Sequence, residues 1–285
     1  MGSSEVVPPP VTRFAPSPTG YLHLGHVVNA IYVWGIARAR GGRVVLRIED
    51  HDRLRCRPHY ESALLEDLDW LGFVPDEGRH PPARQSDRLP VFGDALAVLD
   101  RAGLVYACDC SRRRIGSSPY DGRCRDRGLA RGPGVGLRVR LDGEPSGDVL
   151  VRDRDGHWTY QFAVTVDDMR QGITLVIRGQ DLADSTGRQV ALARLLGRTV
   201  PPVFLHHPLI VDPSGRKLSK SAHDTGVREL RTAGLTADTV VGLAAAAVGL
   251  IGAPGPVDPS QVATLFGGEA ELDSRLRSLA SDTLR

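Results

Sequence analysis

The sequence predicts an α/β fold built around a mainly parallel sheet. Short apolar runs at 11–15 and 44–48 have the length of buried strands, and the apolar residues between them recur at helical spacing. Glycine and proline separate these segments where a strand or helix has to end. Strands that alternate with helices are typical of a parallel sheet with right-handed crossovers.

Residues 11–107 are expected to form the first half of this sheet. Glycine stop signals and proline at the start of a segment mark the ends of its helices. The predicted strands are 11–15, 44–48 and 104–107, and the predicted helices are 22–40, 58–71 and 88–102. The preceding residues 1–10 include three prolines, and we expect them to be a disordered arm.

The alternation of strand and helix stops at Cys108. Residues 108–167 are rich in arginine and glycine and are interpreted as an inserted α+β subdomain. Its predicted strands are 136–141, 149–154 and 158–164.

Parallel-sheet character returns in residues 168–225, which are expected to complete the sheet. Strands are predicted at 173–177 and 203–205, with a helix at 182–196 for which Asp181 is the expected N-cap. Residues 226–285 form the expected helical C-terminal region. Its predicted helices are 227–233, 237–248 and 259–279.

The length, charge and composition of the chain limit its size class, partners and location. A chain of 285 residues is long enough to bury a sizeable core in one or two domains. A net charge of +2 permits an RNA partner without requiring one, since phosphate binding needs a local basic patch. No apolar run approaches the length of a membrane span, and the start lacks a signal-peptide pattern. We therefore expect a soluble, cytoplasmic protein that binds no membrane.

Two histidines stand at the start of the helix that follows the first strand. His23 and His26 lie three residues apart and face the same side of the first helical turn. Unpaired amides at a helix N-terminus favour negative charge, and imidazoles there can donate hydrogen bonds to a phosphate. Surface histidines or two metal ligands have the same spacing, so the spacing alone leaves three interpretations open.

A second cationic segment reads GRKLSKS at 215–221. Lys217 and Lys220 offer point charges suited to a triphosphate, although such a loop by itself is usually solvated surface. Together, HLGH at 23–26 and KLSKS at 217–221 resemble the HIGH and KMSKS signatures of class I aminoacyl-tRNA synthetases. Three further segments resemble the glutamyl branch of that class: RFAPSPTG at 13–20, LRIED at 46–50 and RGQDL at 178–182.

This resemblance spans residues 11 to about 250. It implies a Rossmann-type catalytic domain with an inserted acceptor-end domain, and ATP with Mg²⁺ for activation of L-glutamate to glutamyl-adenylate. The catalytic residues that it implies are His23, His26, Lys217 and Lys220. The ATP-binding residues that it implies are Arg13, Phe14, Ala15, Pro16, Ser17, His23, His26 and Lys220.

Glutamate presents two carboxylates and one ammonium group. Arginine binds a carboxylate through a bidentate fork, which makes Arg13 and Arg178 candidates, and Glu49 suits the ammonium. Each residue alone also fits a surface ion pair or a strand end, and the resemblance selects them as a set. The glutamate-binding residues so implied are Arg13, Ala15, Ser17, Glu49, Tyr160 and Arg178. Val164 stands where ordinary glutamyl-tRNA synthetases carry asparagine, so we expect an altered glutamate pocket.

The cysteines are concentrated in the predicted insertion. Cys108, Cys110 and Cys124, with a fourth donor, suit a closed tetrahedral zinc site; inert thiols are the alternative, and a reducing cytosol disfavours a disulfide. In the short glutamyl-Q relatives of the glutamyl-tRNA synthetases, the zinc ligands match Cys108, Cys110, Tyr120 and Cys124. The resemblance therefore implies one structural Zn²⁺ per chain. Cys56 stands apart and is expected to be a plain thiol.

Three features favour the glutamyl-Q branch: the cysteine–tyrosine cluster, Val164, and no anticodon-binding domain after the catalytic part. The expected function is ATP-dependent activation of L-glutamate and its transfer to queuosine in the anticodon of tRNA(Asp), by a monomer. The alternatives are a truncated glutamyl-tRNA synthetase that charges tRNA(Glu), a nonenzymatic RNA-binding paralogue and a small-molecule adenylyltransferase. The intact histidines, lysines and Glu49 argue against the nonenzymatic paralogue.

Overall fold

The computed structural model describes residues 8–52, 55–116, 119–210 and 226–267. The strands, in chain order, are β1 (Val11–Phe14), β2 (Arg43–Leu46), β3 (Val105–Cys108), β4 (Gly136–Val139), β5 (Val149–Arg152), β6 (Leu175–Gly179) and β7 (Val203–His207). The α-helices are α1 (Leu24–Ala39), α2 (Pro58–Leu71), α3 (Leu89–Arg101), α4 (Arg112–Ile115), α5 (Tyr160–Arg170), α6 (Thr186–Leu195), α7 (Val227–Thr232) and α8 (Ala237–Ala247). Three 3₁₀ segments cover Gln85–Arg88, Gln180–Ser185 and Pro259–Phe266.

Two pairs of parallel strands form the centre of the molecule. β1 pairs with β2, and β6 pairs with β7. The two pairs meet where the N–H of Thr174 donates to the carbonyl of Val11 at 2.9 Å. The predicted parallel α/β arrangement is therefore confirmed, since the carboxyl ends of β1 and β6 point toward the same edge.

The strand predicted at 104–107 is present as β3, but it does not extend the parallel sheet. It pairs antiparallel with β4, which pairs antiparallel with β5. An apolar run predicts a strand without predicting its partner, because pairing depends on segments about 30 residues away. The antiparallel sheet therefore begins before Cys108, where the sequence analysis placed the start of the insertion.

The strand predicted at 158–164 is wrong, because α5 begins at Tyr160. Trp158, Tyr160, Phe162 and Val164 alternate with smaller or polar residues, which suggested a strand. In the structure the helix is buried over most of its circumference, and residues 162–168 are all buried. A helix surrounded by neighbours has no polar face, so its sequence lacks the usual helical periodicity.

The helix predicted at 182–196 is split into the 3₁₀ segment Gln180–Ser185 and α6. Asp181 is not its N-cap, since Ser185 precedes α6 and makes no capping hydrogen bond through its side chain. α7 and α8 confirm the predicted helices near 227 and 237. The segment predicted at 259–279 begins as 3₁₀ helix Pro259–Phe266, and its remainder lies outside the described residues.

The main core lies on the face of the parallel strands that α1 covers. α1 is buried almost all round, between the sheet, α8 and the final 3₁₀ segment. Gly35 allows the closest of these contacts, because a Cβ at this position would come within 2.2 Å of the Phe266 ring. This packing fixes α1 so that its N-terminus faces the edge formed by the carboxyl ends of β1 and β6.

In the part of the chain that the structure describes, no helix is both long and apolar enough to cross a membrane.

Candidate active site

A cavity of about 580 Å³ lies at the carboxyl ends of β1, β6 and β7 and at the N-terminus of α1. This edge is where open parallel sheets bind ligands. The cavity brings together ten residues that the sequence analysis assigned to ATP or glutamate: Arg13, Phe14, Ala15, Pro16, Ser17, His23, His26, Glu49, Tyr160 and Arg178. Lys217 and Lys220 lie outside the described residues.

The two histidines form the cap of α1. The backbone N–H of Gly25 donates to Nδ1 of His23 at 3.1 Å, and the N–H of His23 donates to Nδ1 of His26 at 3.1 Å. In a neutral imidazole whose Nδ1 accepts a hydrogen bond, the proton resides on Nε2. Both rings, with centroids 4.0 Å apart, thus contribute Nε2–H donors to a helix N-terminus that already favours an anion.

Arg13 and Glu49 are held by buried ion pairs. Nε of Arg13 lies 3.3 Å from a carboxylate oxygen of Asp168, and Nη1 of Arg47 lies 2.8 Å from the same oxygen. Nη2 of Arg47 also donates to Glu49 at 3.1 Å. All four side chains are at least nine-tenths buried. Burial raises the pKa of Glu49 above its usual range despite the opposing charges of Arg47 and Arg13.

Arg178 is held by neutral groups instead. Its Nη1 donates to Oε1 of Gln189 at 2.7 Å, its Nη2 to Oγ1 of Thr186 at 2.8 Å, and its Nε to Nε2 of His206 at 3.2 Å. Among the described residues, no carboxylate forms an ion pair with Arg178. Burial lowers the pKa of Arg178, but an arginine remains protonated at neutral pH.

His206 and Tyr160 adapt to this buried cation in opposite ways. Burial and the charge of Arg178 lower the pKa of His206 to about 4, so the ring is neutral and accepts the hydrogen bond from Nε of Arg178. Burial, together with the charge of Glu49, raises the pKa of Tyr160, which therefore keeps its phenolic proton. The cavity thus contains a neutral hydroxyl beside a positive guanidinium.

A second cluster lies between β3 and the segment that follows α4. The sulfur atoms of Cys108, Cys110 and Cys124 lie within 4.8 Å of one another, and all three residues are buried. Oη of Tyr120 lies 3.4 Å from Sγ of Cys108 and 3.9 Å from Sγ of Cys110. The four predicted metal ligands therefore converge, whereas Cys56 lies elsewhere and its Sγ approaches the carbonyl of Glu49.

Two arginines surround this cluster with positive charge. Nε of Arg138 donates to Sγ of Cys108 at 3.3 Å, and its guanidinium lies 3.7 Å from the centre of the Tyr120 ring. Nη1 of Arg127 donates to Sγ of Cys124 at 3.3 Å. Burial raises the pKa of Cys108, but hydrogen bonds from Tyr120 and Arg138 outweigh it and lower the net pKa. At Cys108 these contacts favour the thiolate, which is the form that binds metal, whereas burial raises the pKa of Cys110 to about 11.

The chain matches a family model and many named relatives. Residues 10–121 and 134–240 match the catalytic domain of class I tRNA synthetases for E and Q. A glutamyl-Q tRNA(Asp) synthetase of Rhodobacter capsulatus is 42% identical over 269 residues, which cover 79% of this chain and 95% of that protein. One of Symbiobacterium thermophilum is 41% identical over 89% of this chain and 91% of that protein.

The chain belongs to the glutamyl-Q tRNA(Asp) synthetase family, within the class I tRNA synthetases.

Solved structures of larger synthetases share this fold. A glutamate tRNA ligase of Elizabethkingia meningosepticum, in complex with its amino acid, has 28% identity and a TM-score of 0.63 over 80% of this chain. The chain spans 54% of that protein, about half its length. A methionyl-tRNA synthetase of Mycobacterium tuberculosis, at 13% identity and a TM-score of 0.59, shows the fold alone. These similarities confirm the class I catalytic fold that the two sequence signatures implied.

The structure also shows what the sequence analysis missed. Arg47 and Asp168 hold predicted site residues, yet neither is among the predicted site residues. Arg47 is part of the LRIED segment, and Asp168 lies on α5, after the stretch 158–164 that was wrongly predicted as a strand. Val164 is fully buried on α5 and does not line the cavity, so the structure gives it no direct contact with a glutamate there.

Proposed function

We propose that this protein uses ATP to activate L-glutamate and then transfers the glutamyl group to queuosine in the anticodon of tRNA(Asp). The observation that carries the proposal is the convergence of the two arginines, Glu49 and the histidine pair on one cavity. The relatives cited above bear the name of this activity, and the chain matches 95% and 91% of their lengths. A ligase that forms an aminoacyl-adenylate is therefore the function that the site supports best.

The charges in the cavity complement those of glutamate. Arg13 and Arg178 offer guanidinium groups for its carboxylates, and Glu49 offers a carboxylate for its ammonium. Tyr160, which keeps its proton, offers a neutral hydroxyl that donates to an oxygen. A dicarboxylic amino acid thereby finds a partner for each of its charged groups.

The reaction requires positioning and charge stabilisation from the protein. Glutamate already carries an ionised α-carboxylate at neutral pH, so no general base is needed before it attacks the α-phosphate of ATP in line. The bond between the α-phosphorus and the bridging oxygen breaks and pyrophosphate leaves; the later transfer of the glutamyl group to a hydroxyl of queuosine releases AMP and the hydroxyl proton. His23 and His26 contribute Nε2–H donors that stabilise charge developing on the phosphate. The family resemblance adds Lys217 and Lys220 for the phosphates of ATP, and Mg²⁺ supplies further neutralisation of those phosphates.

We also propose that Cys108, Cys110, Tyr120 and Cys124 hold one structural zinc ion. Tetrahedral zinc with Zn–S bonds of about 2.3 Å separates its sulfur ligands by about 3.8 Å. Sγ of Cys110 and Sγ of Cys124 lie 3.6 Å apart. The donor set and its spacing thus fit the metal, which would tie the segment after α4 to the end of β3.

Metal analysis of the purified protein tests the zinc proposal. We expect about one zinc per chain, and less than about a tenth of that in Cys124→Ser, because a three-donor site loses most of its affinity. Cys56→Ser is the matched control and should retain its zinc. Equal zinc content in all three proteins, or none in the wild type, would contradict the proposal.

The transfer reaction tests the main proposal. Purified protein is incubated with ATP and labelled glutamate, together with tRNA(Asp) that contains queuosine, tRNA(Asp) that lacks it, or tRNA(Glu). We expect label only on the queuosine-containing tRNA(Asp). Label on tRNA(Glu) would instead identify a truncated synthetase, and no adenylate with any RNA would identify a nonenzymatic binding protein.

A further inference from the structure

We propose that Arg47 and Asp168 are positioning residues, which hold Arg13 and Glu49 in the mutual orientation that glutamate requires. This inference rests on the proposed function, because it deepens the assignment of the same cavity. Neither Arg47 nor Asp168 lines the cavity. Their exposed fractions are 0% and 5%, so each acts through the residues that it holds.

Asp168 orients the guanidinium of Arg13 and does not itself line the cavity. Nε of Arg13 lies 3.3 and 3.4 Å from the two carboxylate oxygens of Asp168, and Nη1 of Arg13 donates to the carbonyl of Ile177 at 3.1 Å. Among the described residues, Nη2 of Arg13 has no protein acceptor. Two of its three nitrogens thus fix the plane of the guanidinium, and the third remains for a ligand carboxylate.

Arg47 connects this pair to Glu49. Its Nη1 donates to Asp168 at 2.8 Å and to Oε1 of Gln171 at 2.7 Å, while its Nη2 donates to Oε1 of Glu49 at 3.1 Å. A planar fork can hold two carboxylates in a fixed relation, which a lysine cannot do. The second oxygen of Glu49 remains for the ammonium group of the ligand.

The four side chains form a row of alternating charge: Arg13, Asp168, Arg47 and Glu49. Each buried charge has an opposite neighbour, so the row can remain ionised without water. The row also joins distant parts of the chain, since α5 holds Asp168, β1 holds Arg13, and the segment that follows β2 holds Arg47 and Glu49. A cation and an anion for the ligand are therefore placed before the ligand arrives, which removes the cost of orienting them during binding.

Three variants test the row at different points. Asp168→Asn keeps the shape of the side chain and removes its charge. Arg47→Met removes the fork, and Arg47→Lys keeps a charge that cannot bridge Asp168 and Glu49 together. The rates of ATP–pyrophosphate exchange are measured against glutamate and against ATP, with tRNA(Asp) present.

We expect a selective loss of affinity for glutamate. A displacement of about 1 Å in a binding group lowers catalytic efficiency about 100-fold, and we expect KM for glutamate to rise by about that factor in Asp168→Asn and Arg47→Met. Arg47→Lys should show a smaller rise. The KM for ATP should rise by a smaller factor, because the row holds Arg13 but not the histidine pair, which caps α1.

Arg88→Gln is the matched control. Nε of Arg88 donates to the neighbouring buried Asp167 at 2.5 Å, so this variant also breaks an ion pair on α5. Asp167 also lies 3.9 Å from Nε of Arg47, but the hydrogen bonds of Arg47 to Asp168 and Glu49 do not involve it. We therefore expect the KM for glutamate in Arg88→Gln to stay within about twofold of the wild type. A rise equal to that of Arg47→Met would overturn the inference, since the cluster would then act only through folding.

Thermal unfolding of each variant shows whether that variant folds, so that a loss of activity can be separated from a failure to fold. Where Arg47→Met does not fold, Asp168→Asn and Arg47→Lys carry the comparison with Arg88→Gln. An unchanged KM for glutamate in folded Asp168→Asn and Arg47→Lys refutes the positioning role while the proposed function stands. A wild-type protein without glutamate-dependent exchange refutes the proposed function itself.

Discussion

The two arginines of the cavity are held in different ways, although both lie on strands of the parallel sheet. Arg13 on β1 pairs with the carboxylate of Asp168, whereas Arg178 on β6 donates to neutral side chains such as Gln189 and His206. The charge of Arg13 is therefore compensated before any ligand arrives. Among the described residues Arg178 forms no ion pair with a carboxylate, although it feels the charge of Asp168. A ligand carboxylate would supply its direct counter-charge, so we expect Arg178 to contribute more to affinity and Arg13 more to stability.

The largest effect is expected from Arg178→Gln. Loss of one partner of a buried, hydrogen-bonded charge pair costs about 2–5 kcal/mol, so glutamate activation should fall by about 30-fold or more. The free energy of unfolding should change little, because the substitution also removes an uncompensated buried charge. ATP–pyrophosphate exchange at pH 7.5 measures the loss of glutamate activation, and chemical denaturation at the same pH measures the free energy of unfolding.

Arg13→Gln is the counterpart that sharpens this comparison. It leaves Asp168 with Arg47 as its remaining cation and breaks a buried ion pair, so the free energy of unfolding should fall by about 3 kcal/mol. Glutamate activation should also decline, because the site loses one guanidinium. Equal losses of stability in Arg178→Gln and Arg13→Gln would contradict the proposed difference between the two arginines.

A smaller effect is expected from Gln189→Glu, which gives Arg178 the carboxylate partner that it lacks. We expect KM for glutamate to rise about tenfold, since the new carboxylate competes with the ligand for the same charge. Gln189→Met is the control, because it removes the hydrogen bond without adding charge. A larger rise in Gln189→Met than in Gln189→Glu would show that the hydrogen bond matters more than charge compensation.

The smallest effect concerns the acid stability that depends on His206. Its pKa of about 4 in the folded protein lies below its unfolded value of about 6.5, so the unfolded chain binds more protons between these values. The stability contribution is therefore complete above pH 6.5 and is lost as the pH falls toward 4. His206→Gln keeps an acceptor for Arg178 but does not titrate.

Denaturation at pH 7.0 and pH 5.0 measures this effect. The wild type should lose more unfolding free energy between the two values than His206→Gln does. Identical losses would mean that burial and the charges of Arg178 and His207 do not hold His206 neutral against the opposing charge of Asp181.

The elements of the first half were predictable because each depends on neighbours in sequence. The helix at 58–71 has proline at its start and glycine with φ of +78° after its end, and the structure reproduces both bounds. The stretch at 158–164 was not predictable in this way. Its apolar residues alternate in sequence, and only contact with neighbours on all sides explains why they form the helix α5.

The candidate site shows the same division. Residues of the HLGH and RFAPSPTG segments were identified from the sequence because each motif lies within one helical turn or next to one strand, so the spacing of its residues can be read along the chain. Gln189 and His206 had no such signal. They are recognisable as partners of Arg178 only when α6 and β7 bring them to its guanidinium.

The sequence by itself thus determined the family, the class of chemistry and ten of the residues that line the cavity, because motifs record local geometry within short segments. Only the tertiary structure decided that β3 pairs antiparallel and that Asp168 reaches Arg13 across 155 residues. It also decided that Arg13 forms an ion pair with a carboxylate, whereas Arg178 forms none within the part of the chain that the structure describes. The physical reason is that strand partners and buried counter-charges are chosen by distance in space, which spacing along the chain does not record.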